Sequence, residues 1–393
     1  MGYTYPDFPT LTAHKTWAEI DLLALRRNYR TLCELITSPS ACRPIAVVKA
    51  DGYGHGAARC VAALMEEGCD FFAVSCIEEA MAVRAVCPPE QADLLILGYT
   101  LPGEAALLAS HNVIQTVFSR EYAEALSAAA ASIHAKIRVH VKLDTGMHRI
   151  GFLAGEADLD DTVAAIAAID ADPNLELCGV FTHFARADEP DPAPIDDQFA
   201  RYCAVLARLD ALGIDYGMRH VCNSAAACRY PAGRLDAVRL GIMLYGVPPT
   251  HGFDAITPVE LTPVLRFCTR IAHLHTLMPG ETVSYGGRFS ADTPRTIATL
   301  PVGYADGFVR AFAGASVALE TAAGRRMAPI VGNICMDQCM LDVTGLQAAV
   351  GDTVVLFGDD PDSLRALADR AGTIDYEPLC LISGRVPRVY LGD

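Results

Sequence analysis

A single lysine closes an apolar run in a setting where its amine could act as a nucleophile. The run reads Ile45-Ala46-Val47-Val48-Lys49-Ala50, so Lys49 follows four apolar residues of strand character. Desolvation there disfavours the ammonium form and frees the amine to form an imine with an aldehyde. The bland alternative is a strand-end lysine that reaches solvent on its aliphatic stem. The sequel Asp51-Gly52-Tyr53-Gly54-His55-Gly56 favours the chemical reading, because its glycines let the backbone approach a ligand closely and Tyr53 adds a hydroxyl. Two later runs end in comparable material, His220-Val221-Cys222-Asn223-Ser224-Ala225 and Val238-Arg239-Leu240-Gly241-Ile242.

Such residues must be brought together by the elements that carry them. Short β-rich runs recur at Ile45–Ala50, Phe71–Val74, Leu94–Gly98, Val113–Phe118, Ile137–Asp144, Leu175–Phe184, Arg219–Ala225 and Val238–Gly246. Between most of them lie stretches with helical spacing, such as Ala57–Glu67, Glu78–Val86, Glu121–Ser132, Asp161–Ile169 and Asp197–Leu212. Eight strand–helix units predict a TIM barrel over residues 17–248, with a doubly wound sheet as the alternative. Barrel enzymes gather reactive groups at the C-terminal strand ends. They commonly seat a phosphate on the loops after strands seven and eight, where Ser224, Gly241 and Ile242 fall.

After Pro248-Pro249 the pattern changes to alternating or continuous apolar strands, Pro263–Leu277, Thr296–Val302, Ala328–Val343, Thr353–Phe357 and Val386–Leu391, with one helix at Asp362–Ala371. This predicts a mostly β C-terminal domain over residues 249–393, with residues 1–16 packing on it.

Composition narrows the function. The 393 residues carry a formal net charge of −16 and no Lys/Arg run, which disfavours a nucleic-acid partner. No uninterrupted apolar stretch long enough for a membrane span and no signal-like start is present, so a cytoplasmic location is expected. The 14 cysteines are scattered through apolar segments and read as buried thiols, and Cys335 with Cys339 lacks the second half of a metal site. No metal is expected.

Taken together, Val47-Val48-Lys49-Ala50-Asp51-Gly52-Tyr53-Gly54-His55-Gly56, Lys142-Leu143-Asp144-Thr145-Gly146-Met147-His148-Arg149-Ile150-Gly151, Val283-Ser284-Tyr285-Gly286, Pro301-Val302-Gly303-Tyr304-Ala305-Asp306-Gly307 and Ile334-Cys335-Met336-Asp337-Gln338 resemble the alanine racemase family. The match runs from Trp17 to Leu391 across both expected domains. The resemblance implies a barrel plus a β domain, a head-to-tail homodimer, and pyridoxal 5′-phosphate (PLP) as cofactor. It implies interconversion of L- and D-alanine, a small amino-acid substrate, with D-alanine going to peptidoglycan.

By the same resemblance, Lys49 would hold PLP, while Tyr53, Asn223, Ser224, Gly241 and Ile242 would bind it around the phosphate. Arg239 would face the pyridine nitrogen, held by His183, and keep that nitrogen unprotonated, which weakens the electron sink. Arg149 would bond the phenolic oxygen and help hold the substrate carboxylate. Racemisation needs a base on each face of the α-carbon, and Tyr285 of a partner subunit would oppose Lys49. A phenol is a weak base at neutral pH, so the role requires positive charge and hydrogen bonds around it. Tyr304 would gate the entrance, Met336 would meet the substrate carboxylate through its backbone, and Asp337 would organise that loop. Lys142 resembles a lysine often carbamylated in this family.

One departure bears on substrate choice. The family pattern Ile-Ser-Tyr-Arg-Val-Pro-Arg reads Ile382-Ser383-Gly384-Arg385-Val386-Pro387-Arg388 here. Loss of that tyrosine would remove a phosphate contact and widen the pocket at Gly384, which makes serine a second candidate substrate. A non-catalytic PLP carrier built on the barrel alone would need Lys49 and Ser224 but not Tyr285. Barrel-type PLP decarboxylases typically place an acid where Arg239 stands.

Overall fold

Strands that are apolar on both faces need cover on both, and in this chain the barrel supplies it by closing on itself. The computed structural model describes residues 14–37 and 42–392. Eight parallel strands, Arg43–Val47, Phe71–Val74, Asp93–Ile96, Ile114–Val117, Ile137–Asp144, Leu175–Phe181, Met218–His220 and Ala237–Leu240, pair in that order, and the last pairs with the first. Closure removes the open edges that a doubly wound sheet would have. Phe71–Val74 and Ile114–Val117 are buried at every residue, as parallel strands between packed side chains and an outer helical layer must be.

The outer helices follow from local signals. Ser119 opens Arg120–Ser132 by accepting the Tyr122 N–H at 3.2 Å, and Asp21 opens Leu22–Ile36 by accepting the Ala24 N–H at 2.9 Å. Within Leu22–Ile36 the buried Asn28 donates to the carbonyls of Leu244 and Thr262 and accepts the Thr262 N–H, which ties this helix to the segment after the eighth strand. At the N-terminal mouth Asp93 accepts from Arg43 at 2.9 Å and Arg138 at 2.8 Å. Ion pairs line that end, and the chemistry is left to the other.

Six of the eight strands stop earlier than the apolar pattern suggests, and the first, seventh and eighth bear directly on the site. The first ends at Val47, so Lys49 lies on the turn beyond it; the seventh ends at His220 and the eighth at Leu240. In the seventh run, Asn223 caps a short helix, Ser224–Arg229, by accepting the Ala226 N–H. In the eighth, Ile242–Tyr245 forms a 3-10 turn. Helix signals there override apolar content, because a buried turn and a buried strand look alike in hydrophobicity.

The second sheet has nine strands in the order His273–Leu277, Arg295–Leu300, Cys339–Asp342, Gly324–Val331, Ser316–Thr321, Thr353–Phe357, Leu265–Arg270, Thr16–Asp21 and Arg388–Leu391. Thr16–Asp21 runs antiparallel to Leu265–Arg270 and parallel to Arg388–Leu391. The barrel boundary expected at Trp17 therefore falls inside a strand of this sheet, because Trp17 packs with Cys268, Ala318 and Val355. Helix–strand alternation begins at Leu22. Thr16 belongs to this sheet, while residues 1–13 lie outside the described residues. All fourteen cysteines are free thiols, eight of them buried, although Cys203 and Cys380 are exposed. No helix among the described residues is long and apolar enough to cross a membrane.

Candidate active site

At the C-terminal mouth of the barrel, a cavity of about 480 Å³ is lined by Lys49, Tyr53, Lys142, Arg149, His183 and Arg239, with Asn223, Ser224, Gly241 and Ile242 at its walls. Its size is that of a small-cofactor site. Lys49 enters from an unusual turn. Ala50, Asp51, Gly52 and Tyr53 all have φ between 52° and 63°, so the chain makes a left-handed turn directly after the lysine. Three of the four are not glycine, and each costs about 1–2 kcal/mol in this conformation.

Contacts from distant elements hold the turn. Glu79 accepts the Ala50 N–H at 2.6 Å, and Asp51 accepts the Ala57 N–H at 2.8 Å. The buried His55 contacts the Gly52 and Tyr53 carbonyls through Nδ1, 2.9 Å from each; since both partners only accept, Nδ1 carries the proton. Arg388 Nε donates to the Gly54 carbonyl at 3.0 Å. Burial first, and then the charge of Arg149, lowers the Lys49 pKa; Glu79 acts in the opposite sense. The amine is thereby moved toward the free base that imine chemistry and proton abstraction require.

The loops after strands seven and eight form a cradle. Ser224 Oγ accepts the Gly241 N–H at 2.7 Å, and a side chain at Gly241 would sit 2.8 Å from the Tyr53 hydroxyl. The hydroxyls of Tyr53 and Ser224 and the backbone of Gly241 and Ile242 thus converge on one end of the cavity. No described residue hydrogen-bonds the Tyr53 hydroxyl, the Lys49 amine or the Arg149 guanidinium. Asp144 holds the Arg149 loop by accepting the N–H groups of Gly146, His148 and Arg149 at 3.0–3.1 Å.

Arg239 crosses the floor with no carboxylate partner among the described residues. Its guanidinium donates to the carbonyls of Thr182, His220 and Val221, to His220 Nδ1 at 2.7 Å and to His183 Nδ1 at 3.3 Å. Burial pulls it down to about 10, which leaves it cationic at neutral pH. Because arginine only donates, His220 Nδ1 accepts, its Nε2 carries the proton, and that proton points to His140 Nδ1 at 2.9 Å. Burial, then Arg239, holds His183 and His220 well below the ordinary histidine value. The floor is a cation on neutral imidazoles. Beside it Lys142, 3% exposed, donates to the Leu143 carbonyl at 2.6 Å, and burial with Arg239 and Arg149 lowers it to about 7.

Two sequence profiles match this chain, alanine racemase N-terminal domain over residues 20–249 and alanine racemase C-terminal domain over residues 264–390. The chain belongs to the alanine racemase family. The alanine racemase of Desulfovibrio desulfuricans is 44% identical over 378 residues, covering 95% of this chain and 98% of the relative. That of Clostridium novyi is 39% identical over 386 residues, 95% of each. Among solved structures, alanine racemase of Clostridium difficile 630 superposes with a TM-score of 0.88 at 36% identity and 96% coverage of both chains. The Bacillus anthracis enzyme with bound L-Ala-P gives 0.89 at 32% identity, covering 99% of this chain and 97% of that one. Matches in both domains set the chain apart from a carrier made of the barrel alone.

The family is PLP-dependent, and the cavity fits that cofactor: a deprotonatable amine, a hydroxyl and N–H cradle suited to a phosphate, and a cation on the floor converge in one small space.

Other expected site residues form a separate cluster in the β domain, and none of them lines the Lys49 cavity. Tyr285, Met336 and Tyr304 are 73%, 53% and 39% exposed. Asn333 Nδ2 donates to the Tyr285 carbonyl at 2.6 Å, while the Tyr304 and Ala305 N–H groups donate to the carbonyls of Cys335 and Met336. Arg385 donates to the buried Asp306 and to Asp337, at 2.7 Å each, and so locks the two loops together.

Gly384 does not line the Lys49 cavity of its own chain, and a Cβ added there would have no neighbour within 4 Å. Tyr376 also lines the cavity, with its ring 6.1 Å from that of Tyr53 in the cradle. Tyr376 opens a short helix, Tyr376–Leu381, that the apolar pattern does not reveal. His220, Asp188 and Glu79 are further site residues outside the sequence reading. His220 is fully buried at the end of the seventh strand and accepts from Arg239, but a three-residue strand is too short for alternation to mark it.

Proposed function

We propose that this chain racemises alanine with PLP in the Lys49 cavity, moving the α-proton between Lys49 on one face and Tyr285 of a second subunit on the other. Lys49 would carry the cofactor, Tyr53, Ser224, Gly241, Ile242 and Tyr376 its phosphate, Arg239 its ring nitrogen and Arg149 its phenolic oxygen. PLP, when bound, is an electron sink that acidifies the substrate α-C–H. Lys49, with its pKa lowered by burial, takes or returns that proton at Nζ. Arg239, cationic at neutral pH and without a carboxylate partner among the described residues, keeps its protons and gives none to the ring nitrogen, which keeps the sink moderate and discourages side reactions. Lys142, near half free amine at neutral pH, is a candidate for carbamylation, which would set an anion beside Arg149 and Arg239. The product D-alanine would serve peptidoglycan.

The observation that carries the two-subunit reading is the division of the expected site: the cradle and amine lie in the barrel, while Tyr285, Tyr304 and Met336 stand exposed in the β domain, away from the cavity of their own chain. A complementation experiment tests it. Lys49→Ala and Tyr285→Phe should each lose about 10²–10⁴-fold in racemisation, the range for one proton-transfer group. Mixing the two variants under conditions of subunit exchange should restore activity, because a mixed dimer holds one site with both groups intact. No recovery from subunits that demonstrably exchange would refute a shared site, and wild-type activity in Tyr285→Phe would refute its role as a base.

A further inference from the structure

The left-handed turn after Lys49 leaves a backbone problem that one carboxylate solves. Ala50 is the first residue of that turn, and its N–H is satisfied by Glu79 Oε1 at 2.6 Å. The other oxygen, Glu79 Oε2, accepts the Ser75 N–H at 2.7 Å. Ser75 follows the second barrel strand and lines the Lys49 cavity. The carboxylate therefore bridges the exits of strands one and two at the cavity rim. A helix cap explains only half of this. Glu79 lies in the first turn of Ile77–Arg84, and its contact with Ser75 serves that helix end. The contact with Ala50 reaches 29 residues back in the chain, to the residue next to Lys49.

We propose that Glu79 is a positioning residue for Lys49: by fixing Ala50 against the second strand it sets the direction in which the lysine amine enters the cavity. The inference rests on the reading of Lys49 as cofactor anchor and base. Neighbouring Glu78 is exposed and makes neither contact, so it provides a matched control.

The test compares wild type with Glu79→Gln, Glu79→Asp and Glu78→Gln. Glutamine keeps the shape but puts an NH₂ where one N–H must be accepted. Aspartate keeps the charge but shortens the reach. Both Glu79 variants should lose about tenfold to 10²-fold in kcat, the scale of a small misplacement of a reacting group, with KM for alanine little changed. Glu78→Gln should match wild type. In the PLP-free protein, the pH midpoint for arylation of Lys49, followed by peptide mass spectrometry, should fall in Glu79→Gln and hold in Glu79→Asp. The charged groups acting on the amine are Arg149 and Glu79, with the titratable Cys380 thiol beside them pushed up by burial, and only the glutamine variant removes one of the charges. A purely structural cap would lower melting temperature without moving that midpoint. Should Glu79→Gln not fold, Glu79→Asp alone decides on kcat. Wild-type kcat in a folded Glu79 variant, or an equal loss in Glu78→Gln, overturns the proposal. Borohydride reduction of wild type with PLP separates the two claims: a label anywhere but Lys49 sinks the anchor reading itself.

Discussion

Lys142→Met replaces a deeply buried cation at the site with an apolar side chain of similar length, and the structure fixes what the pH dependence of stability should then be. Lys142 is lowered from 10.5 to about 7, by burial first and then by Arg239 and Arg149. At about 1.4 kcal/mol per pH unit, that difference corresponds to about 5 kcal/mol against the charged form in the folded state. The folded value lies below the unfolded one, so between about pH 7 and 10.5 the unfolded chain binds more protons and stability rises with pH; below pH 7 the full penalty applies. Methionine does not titrate, so whatever its packing does, the gap between variant and wild type should shift with pH through Lys142 alone. Urea unfolding of both proteins, freed of PLP and in CO₂-free buffer, should show wild type gaining on Lys142→Met by about 2–3 kcal/mol from pH 7 to pH 9. Added bicarbonate should stabilise wild type only, since a carbamate would pair with the two arginines. Parallel stability curves for the two proteins would refute the argument that Lys142 is a desolvated amine.

Gly241→Ala would push a methyl group to 2.8 Å from the Tyr53 hydroxyl at the cradle; PLP affinity, read by fluorescence quenching, should weaken about tenfold to 10²-fold, as expected for one disturbed hydrogen bond to a charged group, and unchanged affinity would remove these residues from the phosphate site. Gly384→Tyr should leave the alanine-to-serine activity ratio within about twofold of wild type, because position 384 is off the cavity. A shift of about tenfold or more toward alanine, the scale on which pockets sort an added hydroxyl, would return Gly384 to the pocket wall.

Lys49, Ser224, Arg239 and Gly241 could be placed from the sequence because they lie in or just beyond runs of strand character, although apolar content does not mark where those strands end; His183 came only from the resemblance, and the structure brings all five to one cavity. The expected motifs in the β domain were equally visible, but Tyr285 and Met336 are exposed on a different part of the chain from that cavity. Sequence spacing carries no information on what a second copy would bring to them. At position 384 the family motif carries an aromatic, whereas in this chain Tyr376, eight residues earlier on a helix too short to display a period, lines the cavity.

The turn after Lys49 was beyond reach for a deeper reason. Local preference argues against it at Ala50, Asp51 and Tyr53, and only Gly52 favours it. Its support comes from His55 nearby, from Glu79 on the next helix and from Arg388 near the other end of the chain. A strained conformation held by long-range contacts is invisible to any window of sequence, yet it is where the reactive amine is aimed. Strain of this kind persists only when surrounding contacts over-determine it. The contacts that hold this turn in place are therefore as much a part of the site as the groups that line the cavity.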